Sequence, residues 1–221
     1  MNFATGLFPG AWLWVAGALA VAVAVWALRT GPWRSLAEPT RLNVWLGMGV
    51  LLMLVWSMKA GVNPGLDLHM LGAMLATLVF GPQLAVGLLA LTLAGVTVNG
   101  GAPWQTFALN WLVMAVVPVG IGVGVLRVVE RLLPRHFFVF IFVIAFFGSA
   151  VTIVLQGMVA SQVLVFAGAY SFEFLAANYL PYFLLLGFAE AWLSGMTVTL
   201  MVVYRPGWVA CFDDRVYLVS K

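Results

Sequence analysis

This chain carries very little charge for its length. Only 8 % of its 221 residues are Asp, Glu, Lys or Arg, while 64 % are hydrophobic. An ordinary soluble domain has about 25 % charged residues, so too few polar groups remain here to cover a soluble fold. The composition therefore predicts an integral membrane protein. The net charge of +3 is too small to indicate a nucleic-acid partner.

Several kinds of reactive motif are also missing. The single cysteine, Cys211, has no partner for a disulfide within the chain. The sequence contains no Gly-Lys-Ser/Thr phosphate loop, no Gly-x-Ser-x-Gly, no His-Glu-x-x-His and no Cys-x-x-Cys. These motifs are typical of ATPases, hydrolases, metalloproteases and redox relays. We therefore predict that the chain is not an enzyme and that any ATP hydrolysis belongs to a partner subunit.

What the sequence does contain is a series of long apolar runs. Each run is bounded by charges, Pro or Gly. We predict seven helical segments, at roughly 11–28, 42–58, 69–79, 84–98, 105–126, 137–166 and 174–203. The third is anomalous, because about eleven helical residues rise about 16 Å, roughly half of a hydrocarbon core. Since Gly81-Pro82 ends it, segments three and four are predicted to form a helical hairpin whose short arm is shielded by its neighbours.

The basic residues predict how these segments cross the membrane. Arg29 and Arg34 follow the first apolar segment, and the first ten residues contain no Lys or Arg. We therefore expect the N-terminus to lie outside and Met1 to remain in the mature protein. With seven spans, nine of the ten basic residues lie on the inner face and only Lys59 lies on the outer face. The predicted fold class is an all-α membrane protein, a bundle of six to seven transmembrane helices, with seven preferred and the C-terminus in the cytoplasm.

The predicted bundle occupies residues 1–206 as a single domain, and residues 207–221 form a short tail on the cytoplasmic side. This tail is too short to fold alone. Its aromatic side chains Trp208, Phe212 and Tyr217 are expected at the level of the lipid headgroups.

Several polar features are predicted to share the outer face. They are the N-terminal peptide, the 59–68 loop with Asp67, the start of the third segment with His69, and the 98–104 loop. Neutral imidazole is the commonest metal ligand in proteins. A lone His at the start of a helix is nevertheless more often structural, so both interpretations stay open at this point.

Two further polar residues lie within predicted spans. Asn110 is expected to form a hydrogen bond across helices. Glu190 lies in the middle of the last segment, where ionisable groups tend to mark a pathway or a pair. A structural pairing and a functional role for Glu190 are equally open.

Three stretches, taken in order, resemble one family of membrane proteins. They are "LHMLGAMLATLVFGPQLAVGLLAL", "NGGAPWQTFALNWLVMAVV" and "GFAEAWLSGMTVTLMVVYRP". The first holds His69 and a Gly-Pro turn, the second a Gly-Gly loop followed by Asn110, and the third Glu190 ahead of Gly195. Their order and spacing over about residues 1–206 resemble the CbiM/NikM-type membrane components of energy-coupling factor transporters.

This resemblance implies a function as well as a fold. It implies an all-helical bundle in the bacterial inner membrane, with the N-terminus outside and the N-terminal peptide inserted into the bundle. The chain would be the permease or substrate-capture subunit of an importer for cobalt or nickel. Its partners would be membrane lipid and separate ATPase and transmembrane coupling subunits, and no tightly bound cofactor is expected.

The resemblance also implies a metal site made of nitrogen atoms. In the family, the α-amino group, the next amide nitrogen and a His directly after the first Met supply three donors, and a His at the third segment supplies the fourth. In this chain Met1, Asn2 and His69 hold the matching positions, and Asn2 stands where the family has His. Nickel and cobalt accept such donors, and copper(II) also fits them.

The Asn at position 2 leaves three outcomes open. The site is completed by another donor, for which the sequence offers Asp67, Met70 and Asn99. Alternatively, the chain transports a different metal or a metal chelate. In the third outcome, the chain is a non-transporting scaffold or assembly factor with the same fold and a degenerate metal site.

Overall fold

The computed structural model describes residues 3–61, 63 and 65–218. They are mostly helical, and their α-helices, numbered in chain order, are α1 (Gly10–Thr30), α2 (Pro39–Ser57), α3 (Ala73–Phe80), α4 (Pro82–Val98), α5 (Phe107–Trp111), α6 (Val117–Leu132), α7 (Gly148–Phe166), α8 (Phe172–Asn178), α9 (Tyr182–Tyr204) and α10 (Asp214–Tyr217). Two π-helical stretches, Leu112–Val116 and Val139–Phe147, join α5 to α6 and lead into α7. Two short strands, β1 (Ala60–Gly61) and β2 (Asp67–Leu68), pair antiparallel.

Within the described residues, five helical segments are long and apolar enough to cross a membrane. They are Gly10–Thr30, Pro39–Ser57, Trp104–Leu132, Val139–Phe166 and Tyr182–Tyr204. Large apolar side chains cover their outward faces, and Trp14 is 82 % exposed. A soluble protein rarely exposes continuous apolar patches of this kind, so these faces are suited to contact with lipid.

The short helix α3 lies at the centre of the bundle. Each of its eight side chains is buried, and it packs against α4, α6, α7 and α9. Eight helical residues rise only about 12 Å, which is less than half of a hydrocarbon core of about 30 Å. Protein surrounds α3 along its length, so the prediction of a shielded short arm is confirmed.

The hairpin between α3 and α4 follows the predicted Gly-Pro turn. Gly81 has φ +80°, which glycine adopts readily, and Pro82 is the first residue of α4. Two buried indoles then fix the start of α4. The Nε1–H of Trp45 donates to the carbonyl of Leu84 at 3.1 Å, and the Nε1–H of Trp111 donates to the carbonyl of Val86 at 3.1 Å.

The predicted bounds of the third, fifth and last segments are wrong, and the fifth segment continues to Leu132 rather than ending at residue 126. The third segment begins at Ala73 rather than at residue 69, because Gly72 has φ +64° and ends the extended chain ahead of the helix. The last segment is divided into α8 and α9. Pro181 lies between these two helices, and its ring nitrogen has no N–H to continue the first of them.

The chain after α9 returns to the C-terminal end of α3. The N–H of Ala210 donates to the carbonyl of Val79 at 3.0 Å, and the N–H of Cys211 donates to the carbonyl of Leu78 at 3.1 Å. The last carbonyls of a helix have no partner within it. The tail therefore caps α3 from a distant part of the sequence.

Aromatic side chains hold the tail in place. The rings of Phe212 and Tyr217 stack at 5.1 Å, and each meets the ring of Phe140 edge-on at 5.0 Å. The hydroxyl of Tyr217 donates to the Glu130 carboxylate at 2.8 Å. Phe212 and Tyr217 are enclosed by protein rather than exposed on the surface, whatever their level in the membrane. Trp208 is partly exposed, as its prediction allows.

Docking of the tail predicts an unreactive thiol at Cys211. Burial and the nearby Glu130 carboxylate raise the pKa of this thiol to about 11. Only the thiolate reacts, so at pH 7.5 we expect maleimide to label Cys211 about 100-fold more slowly than an exposed cysteine. The control is a Cys211→Ser chain that carries Asn63→Cys in an exposed loop. Equal labelling rates at the two positions would show that the tail is not docked in the membrane-embedded protein.

Candidate metal site

His69 lies in the turn between β2 and α3, outside the helices, and is only 2 % exposed. Its Nδ1 is 3.0 Å from the carbonyl oxygen of Met70. A carbonyl only accepts hydrogen bonds, so this contact assigns the ring hydrogen to Nδ1 and the lone pair to Nε2. Among the residues that the structure describes, none forms a hydrogen bond with this Nε2. A buried nitrogen with a free lone pair and an oriented ring has the features of a metal ligand.

The environment of His69 keeps its ring neutral. Burial lowers the pKa of the imidazole well below its ordinary value of 6.5. The indole of Trp56 packs against it, with the ring centroids 5.0 Å apart and the planes tilted by 42°. Metal ligation requires the neutral ring, so the site favours the form that binds.

Contacts from two helices hold the turn that carries His69. The Nε1–H of Trp56, on α2, donates to the carbonyl of Leu71 at 3.1 Å. The carboxylate of Glu190, on α9, accepts hydrogen bonds from the backbone N–H groups of Leu71 and Gly72. The structure thus gives Glu190 a pairing with the backbone next to His69.

The N-terminal peptide is inserted into the same end of the bundle. Phe3 is fully buried, and its N–H donates to Asn110 Oδ1 at 2.8 Å. The hydroxyl of Thr106 donates to the carbonyl of Phe3 at 2.8 Å and accepts from Asn110 Nδ2 at 3.1 Å. The expected insertion of the peptide is confirmed for the described part. Met1 and Asn2, the two predicted ligands that precede Phe3, lie outside the described residues.

The loop ahead of His69 packs against the N-terminal peptide. Gly65 has φ +76°, and a Cβ built on it would lie 2.4 Å from Leu7 Cδ1 and 3.3 Å from the backbone nitrogen of Ala4. Only glycine fits this close approach. The next residue, Leu66, is fully buried. The loop that leads to His69 and the peptide that begins with Met1 are therefore in contact.

Asp67, the predicted substitute ligand, is paired in the structure. Its Oδ2 lies 2.8 Å from the Nζ of Lys59, which also donates to the carbonyl of Gly101 at 3.0 Å. Lys59 thus joins the β-hairpin to the Gly-Gly loop. The predicted gathering of these loops with His69 at one end of the molecule is confirmed. Across the described ranges, no three His, Cys, Asp or Glu side chains are grouped to hold a metal.

Two residues of this region carry no clear signal in the sequence. Trp56 and Thr106 were not predicted to contribute, yet they contact the His69 turn and the N-terminal peptide. Tryptophan near the end of a span is usually interpreted as an interfacial anchor, and threonine carries no specific signal. Their roles depend on contacts between distant segments that the sequence does not encode locally.

The fold and the site together define a class of protein. A short helix enclosed by longer apolar helices at membrane depth is a feature of membrane transport proteins. The family model described as "cobalt uptake substrate-specific transmembrane region", CbiM, matches residues 2–208. The chain belongs to this family.

Solved structures share this fold. A crystal structure of a truncated transition metal transporter has a TM-score of 0.79 at 19 % identity, and the match covers 92 % of this chain and 99 % of that one. A crystal structure of a transition metal transporter has a TM-score of 0.78 at 19 % identity, covering 91 % and 92 %. No curated protein matches the sequence significantly. The chain is a multi-pass membrane component of metal uptake, and its family is not a class of enzymes.

Proposed function

We propose that this chain is the permease or substrate-capture subunit of an energy-coupling factor importer for a divalent transition metal. Cobalt and nickel are the favoured ions, and copper(II) also suits nitrogen donors. The observation that carries the proposal is the buried Nε2 of His69, which has no hydrogen-bond partner among the described residues and lies beside an inserted N-terminal peptide. The sequence has no phosphate loop of its own, so separate ATPase and transmembrane coupling subunits would supply the energy.

The proposed orientation has seven membrane segments in a bacterial inner membrane, with the N-terminus outside and the C-terminus in the cytoplasm. Residues 1–206 form the bundle, and residues 207–221 form the tail. The distribution of charge supports this orientation. Lys59 lies with His69 at one end of the molecule. Arg127 and Arg131 lie on α6 next to Glu130, which binds the docked tail at the other end.

In the proposed site, three nitrogens bind the ion. They are the α-amino group of Met1, the amide nitrogen of Asn2 and the Nε2 of His69. The fourth position would be filled by water or by Asp67, Met70 or Asn99. Asp67 would have to leave its ion pair with Lys59 to take part.

The proposal is tested by titrating the purified chain with Co²⁺, Ni²⁺ and Cu²⁺ in detergent and following the heat of binding. We expect saturable binding of about one ion per chain, because one set of backbone and N-terminal donors is available. If none of the three ions binds, the proposal that the chain carries a divalent transition metal is wrong.

Asn2 favours a second candidate function. Without the second imidazole, the same fold would act as a scaffold or assembly factor for a membrane partner. Purification of the tagged chain from its native membrane separates the two functions. Recovery of an ATPase and a coupling subunit supports the importer, and recovery of a membrane enzyme without either supports the scaffold.

A further inference from the structure

Glu190 is a buried carboxylate without a cationic partner among the described residues. It is 2 % exposed and lies in the middle of α9, within a candidate membrane span. The ion pair between Lys59 and Asp67 does not involve Glu190. Burying a carboxylate in an apolar medium is costly unless hydrogen bonds compensate it. The buried carboxylate of Glu190 therefore needs specific hydrogen-bond donors.

Those donors belong to the backbone of the turn before α3. Glu190 Oε1 lies 2.9 Å from the N–H nitrogen of Gly72 and also accepts from the N–H of Leu71, while Oε2 lies 3.3 Å from the Gly72 nitrogen. The first N–H groups of a helix have no partner within it, and they carry the positive end of the helix dipole. Gly72, the residue that precedes α3, has no side chain to cap them. The carboxylate from α9 binds the N–H of Gly72, the N-cap residue, and the N–H of Leu71 before it, beside the positive end of the helix.

The same turn is fixed from its other side. The carbonyl of Leu71 accepts from the Trp56 indole at 3.1 Å, and a Cβ on Gly72 would lie 2.5 Å from Leu52 Cδ2. The peptide groups around Leu71 are thus held between α2 and α9. His69 lies two residues before Leu71, so the position of its imidazole depends on this arrangement.

We propose that Glu190 is a positioning residue for the metal site. Its carboxylate holds the 69–72 turn in the conformation that keeps His69 buried with Nε2 unpaired. Glu190 does not touch the ion in this proposal. The inference rests on the proposed function, because it assigns Glu190 to the site that His69 forms.

Two substitutions at Glu190 test whether its backbone hydrogen bonds are needed for metal binding. Glu190→Gln keeps the shape and one carbonyl oxygen that accepts from both N–H groups, so we expect metal affinity within about 3-fold of the wild type. Glu190→Ala removes the acceptor, and we expect affinity to fall by at least about 10-fold, as for other outer-shell partners of a metal ligand. The matched control is Ser194→Ala, one turn along α9. The Ser194 hydroxyl is buried and has no hydrogen-bond partner among the described residues.

Hydrogen exchange measured without metal gives a second readout that does not depend on metal binding. In Glu190→Ala we expect faster exchange in the peptide that covers residues 69–72, with α7 unchanged. Exchange that rises equally throughout the bundle would overturn the positioning role, because it would show a general loss of stability. Wild-type affinity in Glu190→Ala would also overturn it.

Failure of the proposed function gives a different pattern. If His69→Ala binds metal as the wild type does, the site at His69 is wrong. Exchange at residues 69–72 then still decides whether Glu190 holds the turn. If His69→Ala loses binding and Glu190→Ala does not, the site stands and the positioning role alone is wrong.

Discussion

Replacement of His69 by alanine is expected to lower the affinity for Ni²⁺, Co²⁺ or Cu²⁺ by at least about 100-fold, which exceeds the usual loss for an outer-shell partner. The reason is the state of Nε2 in the structure. It is buried, carries the lone pair because Nδ1 faces the Met70 carbonyl, and has no hydrogen-bond partner among the described residues. Calorimetric titration of the purified variant measures the loss.

The second histidine of the chain provides the control. His136 is exposed, and its ring stacks on Phe138 with the centroids 5.6 Å apart. His136→Ala is therefore expected to bind metal as the wild type does. Unchanged affinity in His69→Ala would contradict the site. An equal loss in both variants would also contradict it, because surface imidazoles would then account for the binding.

Replacement of Asn2 by histidine is expected to raise the affinity for Ni²⁺ by at least about 100-fold, since it adds a ligand that contributes more than an outer-shell partner. In the resembling family, a His at this position completes a set of four nitrogens. The N–H of Phe3, the next residue, is bound to Asn110 at 2.8 Å. The peptide is therefore already anchored, and little additional ordering would oppose the gain.

The gain in Asn2→His should depend on His69. In the double variant Asn2→His, His69→Ala, we expect most of the increase to disappear, because the two imidazoles bind the same ion. Asn2→Gln serves as the matched control, since it changes the side chain without adding an imidazole. A gain that persists without His69 would place the new ligand at another site.

Much of the fold was predictable from local features of the sequence. The low charge predicts membrane helices, and Gly81-Pro82 predicts the turn between a short and a longer helix. Both features can be recognised within a single segment of the sequence, without knowing which segments pack together. The start of α3 was not predictable in this way. Gly72 adopts φ +64°, and its N–H binds the carboxylate of Glu190, 118 residues later in the chain. No local sequence pattern indicates such a distant partner.

The candidate site was predictable only in part. His69 could be identified because it is one of two histidines in the chain and lies at the edge of an apolar run. The contributions of Trp56 and Thr106 required knowledge of which helices pack together. The tail shows the same limit. Phe212 and Tyr217 have the composition of a membrane-surface segment, yet Phe140 offers them a protein surface on which to pack.

The two caps on α3 come from one continuous stretch of chain. Glu190 binds the N–H of Gly72, immediately before α3, and Ala210 and Cys211 bind the carbonyls at its other end. Both ends of α3 are thus held by the segment that runs from α9 into the tail. Rigid elements of this kind move as bodies rather than bend. In the proposed orientation, a partner that moves the docked tail while its bonds to α3 persist is therefore expected to shift α3 and the His69 turn together. A force applied on one side of the membrane would then reach the metal site on the other side.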